Sequence, residues 1–262
     1  MKKMVLFSVL FFIASMFNFS FGQDLVNIDT TNEGVVGIEY NAKNLEDTRV
    51  VVQKGNEKYV YRMHSNNAIF PLQMGNGIYT VTLLEHVNGT KYKVISSEDI
   101  DVTLKQVNTV FLSSIQRVQW DDTMVPIIKA KELVAGLNGD RAKVEVIYDY
   151  IVNGIAYDYQ MLSSVSNTYL PNIQVVFDKK SGICYDYASL FAAMLRSVDV
   201  PTKLVMGHTT NLDAYHAWNE VYVESEAKWI IIDTTIDAQY IQKNKTVEME
   251  KNKRDYTSER IY

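Results

Sequence analysis

Cys184 is the only cysteine in 262 residues. It lies in SGICYDYASL, residues 181–190. Two readings fit a lone cysteine: a small buried hydrophobe or a working thiol. The neighbourhood bears on the choice. Tyr187, Leu190, Phe191, Met194, Leu195 and Val198 recur at helical spacing, which predicts an amphipathic helix opening at Cys184. Ser181 is expected to cap it, and Gly182 to let the backbone turn and approach a ligand. A thiol in a first helical turn sees unpaired amide N–H groups and the positive end of the helix dipole. Both favour the thiolate, which is the nucleophile. The same amides can stabilise an oxyanion beside the sulfur.

A nucleophile of this kind wants a base. His216 opens the strand pattern HAWNEVYV (216–223), with His216, Trp218, Glu220 and Tyr222 on one face. Ala217, Asn219, Val221 and Val223 share the other. The next strand pattern, KWIIID (228–233), ends in Asp233. An acid after Trp-Ile-Ile-Ile is buried, and a buried carboxylate needs a partner. An imidazole on the neighbouring strand would satisfy it, and the acid would hold the ring in one tautomer. Singly, each residue has a plain alternative: a structural histidine, or an Asp233 that caps a turn with Thr234 and Thr235. Together with the helix-start thiol they point to nucleophilic acyl transfer.

Other candidates are less specific. Trp218 suits either a wall of the site or a core aromatic. Gln160 and Asn219 are candidates for a second oxyanion donor beside the Cys184 amide. His208 is expected in a loop at the end of the preceding strand. His64 and His86 sit in strand patterns without a second ligand at metal spacing, and no cofactor or metal site is expected.

The elements that must position these residues follow from periodicity. DRAKVEVIYDYIVNGIAYD (140–158) reads as a helix, preceded by PIIKAKELVAGL. Residues 158–180 read as a long irregular connection. After the Cys184 helix, Asp199-Val200-Pro201 stops the pattern. TKLVMGH (202–208), HAWNEVYV and KWIIID read as antiparallel strands, because their connections are too short for crossovers. Residues 117–262 are therefore expected to form an α+β domain, with the nucleophile helix on an antiparallel sheet. DTTIDAQ (233–239) reads as a strand-end turn. The charged tail KNKTVEMEKNKRDYTSERIY reads as a solvated helix or loop ending in a short strand.

Residues 23–116 read as all-β. VVGIEYNA, RVVVQK, KYVYRMH, AIFPLQM, IYTVTLLEHV, KYKVISSE, IDVTL and NTVFLSS are short apolar or alternating runs separated by turn signals. Asn88-Gly89 is a strong hairpin signal. Seven or eight short strands suggest a β-sandwich of immunoglobulin-like architecture.

Lys2 and Lys3 followed by an apolar run to about Phe19, with Ser20 and Gly22 beyond, read as a signal peptide over 1–22. An uncleaved anchor is the rival. The expected location is secreted or cell-surface. Removing Lys2 and Lys3 takes the net charge from −5 to −7. The pI of about 5.4 argues against a nucleic-acid partner, and the 47% hydrophobic content is enough for a sizeable core. No later segment is apolar enough to span a membrane.

GICYDYASLFAAMLRSVDVPTKLVMG, then HAWNEVYV, then WIIIDTTID resemble the transglutaminase-like superfamily of papain-type thiol enzymes over roughly residues 120–240. Ile155-Ala156-Tyr157-Asp158 resembles the family's segment before the cysteine loop. The N-terminal strands resemble the immunoglobulin-like module that often precedes such domains. The resemblance implies Cys184 as nucleophile, His216 as general base and acid, and Asp233 as the residue orienting it. It implies acyl transfer at a carboxamide or peptide carbonyl. Water would give hydrolysis of a protein, peptide or cell-wall peptide, and a primary amine would give a cross-link. A binding module that has lost catalysis is the reading from another class. The triad requires no metal. Animal members use calcium, but no Asp-rich loop here resembles a calcium site.

Overall fold

The computed structural model describes residues 25–262. The leader expected over 1–22 lies outside the described residues. Among the described residues no helix is long and apolar enough to cross a membrane.

The N-terminal part is built from alternating apolar runs that form two antiparallel sheets. β1 (Val26–Asn27), β2 (Val35–Glu39) and β5 (Asn67–Pro71) make one, in the order β1-β2-β5. β3 (Thr48–Lys54), β4 (Glu57–Arg62), β6 (Gly77–Asn88) and β7 (Lys91–Val102) make the other, in the order β4-β3-β6-β7. The inward residues of both sheets meet in one core, where Tyr61 and Phe70 sit 5.5 Å apart. KYKVISSE and IDVTL are one strand, because β7 pairs with β6 through two register shifts. NTVFLSS is not a strand. Residues Thr109–Leu112 form a 3-10 turn, and the Thr109 hydroxyl donates to Gln106 O instead of facing a ladder.

The expected junction at 116–117 falls in the irregular stretch after β7. Beyond it come α1 (Val125–Leu133), α2 (Asp140–Gly154), β8 (Ala156–Tyr157), α3 (Tyr159–Ser164), α4 (Ile173–Lys179), β9 (Ser181–Gly182) and α5 (Cys184–Arg196). The connection expected to be irregular over 158–180 therefore contains two short helices. Asp158 and Asn172 start them by accepting the Met161 and Val175 N–H groups.

α5 was expected to be amphipathic. Instead Tyr185 to Arg196 are all buried, and Cys184 at its start is the residue left partly exposed. A helix buried on all sides belongs in a core, and its polar members need partners there. Of its two buried residues of charged type, Asp186 lies in the first turn, and Arg196 at the far end donates to Thr202 O (2.9 Å), Ser113 O (2.7 Å) and Tyr262 O (2.9 Å). Burial pulls that guanidinium down to about 9. The three carbonyls tie the helix to the strand after it, to the interdomain stretch and to the end of the chain.

α5 lies on a five-stranded antiparallel sheet. Its strands are β10 (Thr202–Thr209), β11 (Leu212–Val223), β12 (Lys228–Ile232), β13 (Glu250–Lys251) and β14 (Tyr256–Ile261), in the order β13-β12-β11-β10-β14. α6 (Thr234–Ile241) follows β12 directly, so DTTIDAQ is a helix and not a strand-end turn. The charged tail does end in a strand, as expected. That strand is not a solvated appendage, because β14 completes the sheet beside β10. Gly207 permits this approach: a Cβ there would lie 2.1 Å from Thr257 O. The end of the chain also meets the N-terminal sheets, where Ile261 N donates to the Tyr59 hydroxyl (3.3 Å) and the Tyr59 and Tyr262 rings are 5.4 Å apart.

Candidate active site

The nucleophile helix begins differently from the sequence expectation. Ser181 does not cap it. Ser181 and Gly182 form β9, which runs parallel to β8 with Tyr157 opposite Gly182. Ile183 is the N-cap residue, and Asp186 closes the turn by accepting from Ile183 N at 2.9 Å. Gly182 is needed here for close packing and not for a ligand, since a Cβ would lie 2.6 Å from Asp186 Cβ. Burial pushes the Asp186 carboxyl up, against the hydrogen bonds from Tyr169 and Ile183.

β11 brings His216 to this helix start. The ring comes close enough to the Cys184 side chain for its pKa to be raised by it. Its Nε2 bonds Asp233 Oδ2 at 2.8 Å, so Nδ1 is the ring nitrogen not held by the acid. Asn219 pairs with Ile232, so Asp233 continues β12 opposite Trp218 and diagonal to His216. His216 and Asp233 are both buried, 3% and 0% exposed. Burial is the strongest single influence on the imidazole and opposes its charge. The Asp233 charge and hydrogen bond, with the Cys184 contact, outweigh it and hold His216 up to about 10. The ring is thus imidazolium at neutral pH. Asp233 carries two jobs: Oδ1 accepts from Ile236 N at 3.0 Å and starts α6, while Oδ2 holds His216.

Against this geometry the comparisons are direct. Residues 129–234 match the transglutaminase-like superfamily, a group of cysteine proteases and acyltransferases. Over these residues the chain is similar to a transglutaminase-like domain. The Bacillus subtilis (strain 168) protein YebA, itself uncharacterized, is 25% identical over 182 residues. That match takes in 62% of this chain and 23% of YebA, so the chain spans less than a quarter of this relative. Among solved structures, a provisionally assigned cysteine protease from Cytophaga hutchinsonii is similar at 17% identity, TM-score 0.44, over 75% of this chain and 68% of that one. Red sea bream transglutaminase is similar at 10% identity, TM-score 0.28, over 77% and 48%.

Trp218 is 1% exposed. It stacks 6.3 Å from His216, and it packs with Val205, Ile231 and Tyr256 in a small second core. Asn219 is removed as an oxyanion donor. Its Nδ2 donates to Ala188 O (2.9 Å) and Lys203 O (3.0 Å), which pins α5 to the sheet. Gln160 is exposed on α3, where only its backbone oxygen bonds Ser163. His208 lies within β10, not in a loop, and pairs with Glu259 at 3.4 Å. His64 lies against Gln116, and His86 bonds Gly89 O. Among the described residues no group of three or more His, Cys, Asp or Glu is arranged to hold a metal.

Two tyrosines escaped the sequence reading. Tyr256 of β14 donates to Asp233 Oδ2 at 3.0 Å, and its ring lies 5.1 Å from Trp218. Burial, then the Asp233 charge, raises its hydroxyl, so it remains a donor. Tyr157 lies beside the Cys184 backbone, and burial followed by the Cys184 charge pushes it up to about 12. For the first, the charged tail offered no signal. For the second the signal was only the proximity of the IAYD segment.

Proposed function

We propose that this chain is an exported thiol enzyme that transfers acyl groups at amide bonds, with hydrolysis of peptide or cell-wall peptide amides as its reaction. The observation that carries the reading is the line from the partly exposed Cys184 to the buried His216 and Asp233, with the imidazole held charged beside the thiol. Cys184 is the nucleophile, His216 the acid and base, and Asp233 the residue that orients and charges it.

The Cys184 sulfur attacks the carbonyl carbon, and the π pair moves to oxygen. That oxyanion is taken by the Cys184 backbone N–H. Tyr157 supplies the second donor, since its hydroxyl lies at the same amide and keeps its proton. His216 gives its proton to the leaving amine as the C–N bond breaks, which leaves a thioester. The neutral imidazole then takes a proton from water. The resulting hydroxide attacks the thioester, the C–S bond breaks and the thiolate returns beside imidazolium.

The same thioester accepts a primary amine in place of water, which is the cross-linking alternative. A binding module without catalysis is the alternative from another class. The N-terminal sheets, read as an immunoglobulin-like accessory, and the extracytoplasmic location belong to this proposal.

The deciding experiment offers a glutamine peptide to the purified chain with and without a labelled amine. Release of ammonia or amine that needs Cys184, with no label incorporated, supports hydrolysis. Label incorporation that needs Cys184 replaces it with cross-linking. Absence of both, with Cys184 inert to iodoacetamide at neutral pH, removes the enzyme reading.

A further inference from the structure

A cavity of about 220 Å³ lies where the N-terminal sheet faces the catalytic part. A water occupies ~30 Å³, so there is room for roughly seven waters or one amino-acid-sized group. β4, residues 116–117 and the loop 167–170 form its walls, with Arg49, Arg62 and Arg117 among the lining residues and no acid among them. Three guanidiniums at one concavity stand out in a chain of net charge −5.

The arginines are unequally satisfied. Arg62 pairs with Glu46 at 2.5 Å, a carboxylate that is itself 75% exposed, and donates to Thr168 O at 2.9 Å. Arg49 donates to Thr48 O and lies over the Tyr92 ring. Arg117 donates to the Tyr185 hydroxyl at 2.8 Å and lies 4.5 Å from the Tyr262 ring centre. Its Nε is buried with no hydrogen-bond partner. Among the described residues no carboxylate is within ion-pair distance of Arg117. A largely buried guanidinium with only aromatic and phenolic company is short of an anion. Its planar fork fits a carboxylate through two parallel hydrogen bonds.

The walls also lead to the nucleophile helix. Tyr169 lines the cavity and donates to Asp186 Oδ1 at 2.5 Å, and Arg117 holds Tyr185, the residue after Cys184. We propose that this cavity is an anion site that takes a side-chain or terminal carboxylate of a peptide, with Arg117 and Arg62 as its ligands. On the acyl-transfer reading above, the peptide so held is the acyl donor. The carboxylate site itself does not depend on that reading.

The test measures binding and not turnover, so it stands apart from the chemistry. The full chain carrying Cys184→Ser is titrated calorimetrically with a blocked glutamate tetrapeptide, with its glutamine counterpart and with inorganic phosphate. The glutamate peptide is expected to bind at least tenfold tighter than the glutamine peptide. Arg62→Gln and Arg117→Gln should each weaken it tenfold or more. Glu46→Gln, which frees Arg62, should tighten it about threefold. Should Arg117→Gln fail to fold, Arg62→Gln decides, because Arg62 lies at the rim. Equal binding of the two peptides, or binding indifferent to Arg62→Gln, overturns the site. Phosphate bound more tightly than the glutamate peptide overturns the carboxylate assignment.

Discussion

Asp233→Asn separates the charge of this acid from its shape. Asparagine is as good a helix cap as aspartate, so the bond to Ile236 N can persist. What disappears is the negative charge beside His216. In the intact site that charge, aided by Cys184, overcomes burial and lifts the imidazole from 6.5 to about 10. A shift of this size corresponds to roughly 5 kcal/mol in favour of imidazolium, at about 1.4 kcal/mol per unit. The ring is 3% exposed, so solvent screens little of it. Without the acid, burial dominates and the ring is neutral at pH 7. Alkylation of Cys184 by iodoacetamide at pH 6.5 should then slow by at least ~10-fold, the factor for one unit lost in the pair. Turnover should fall by about 10²–10⁴, the usual worth of a general acid–base group. Urea unfolding across pH gives a second reading. A raised histidine stabilises the fold fully below about 6.5, and that support is lost as pH rises through about 10. In Asp233→Asn the histidine is depressed instead, so stability is lost on acidification. A variant that alkylates at the wild-type rate at pH 6.5, or that keeps the wild-type alkaline loss of stability, refutes the claim that Asp233 charges His216.

Three further outcomes can be checked beside it. Tyr256→Phe keeps the ring against Trp218 but removes a donor to a buried carboxylate. It should lower unfolding free energy by about 1.5–3 kcal/mol in urea titration. Tyr157→Phe should lower turnover by about 10²–10³, as for loss of one oxyanion donor. Iodoacetamide alkylation should be unchanged in that variant, since it develops no oxyanion, and a parallel drop in both would show a structural role only. Gly182→Ala sets a Cβ 2.6 Å from Asp186 Cβ. It should cost about 1–3 kcal/mol of stability, as overpacking does, and should slow alkylation by displacing the helix start.

The Cys184–His216–Asp233 set was legible because each member announces itself locally. A thiol before a helical stripe, a histidine at a strand start and an acid closing an apolar strand are all patterns within ten residues. The strands from β2 to β7 and β10 to β12 were legible for the same reason. Failures arose where the partner is distant. Tyr256 meets Asp233 across 23 residues of chain, and nothing in its charged surroundings hints at burial. Asn219 looked like a polar group facing a ligand until its two carbonyl partners, on α5 and β10, were in place. Other failures were of type. NTVFLSS has the apolar content of a strand, but its Asn and Thr favour turns. In DTTIDAQ the run Asp-Thr-Thr-Ile is a helix start, with the acid capping the third residue after it.

One oxygen of Asp233 starts a helix and the other orients a base. That arrangement narrows the routes by which the gene can drift. A change that loses the side-chain oxygens frees the helix end and the imidazole in one mutational step, so folding and activity are selected together at a single codon. Only the amide preserves both contacts, and aspartate and asparagine codons differ by one base. A lineage leaving the carboxylate by that route would keep the helix cap and give up the charge that holds the imidazole protonated.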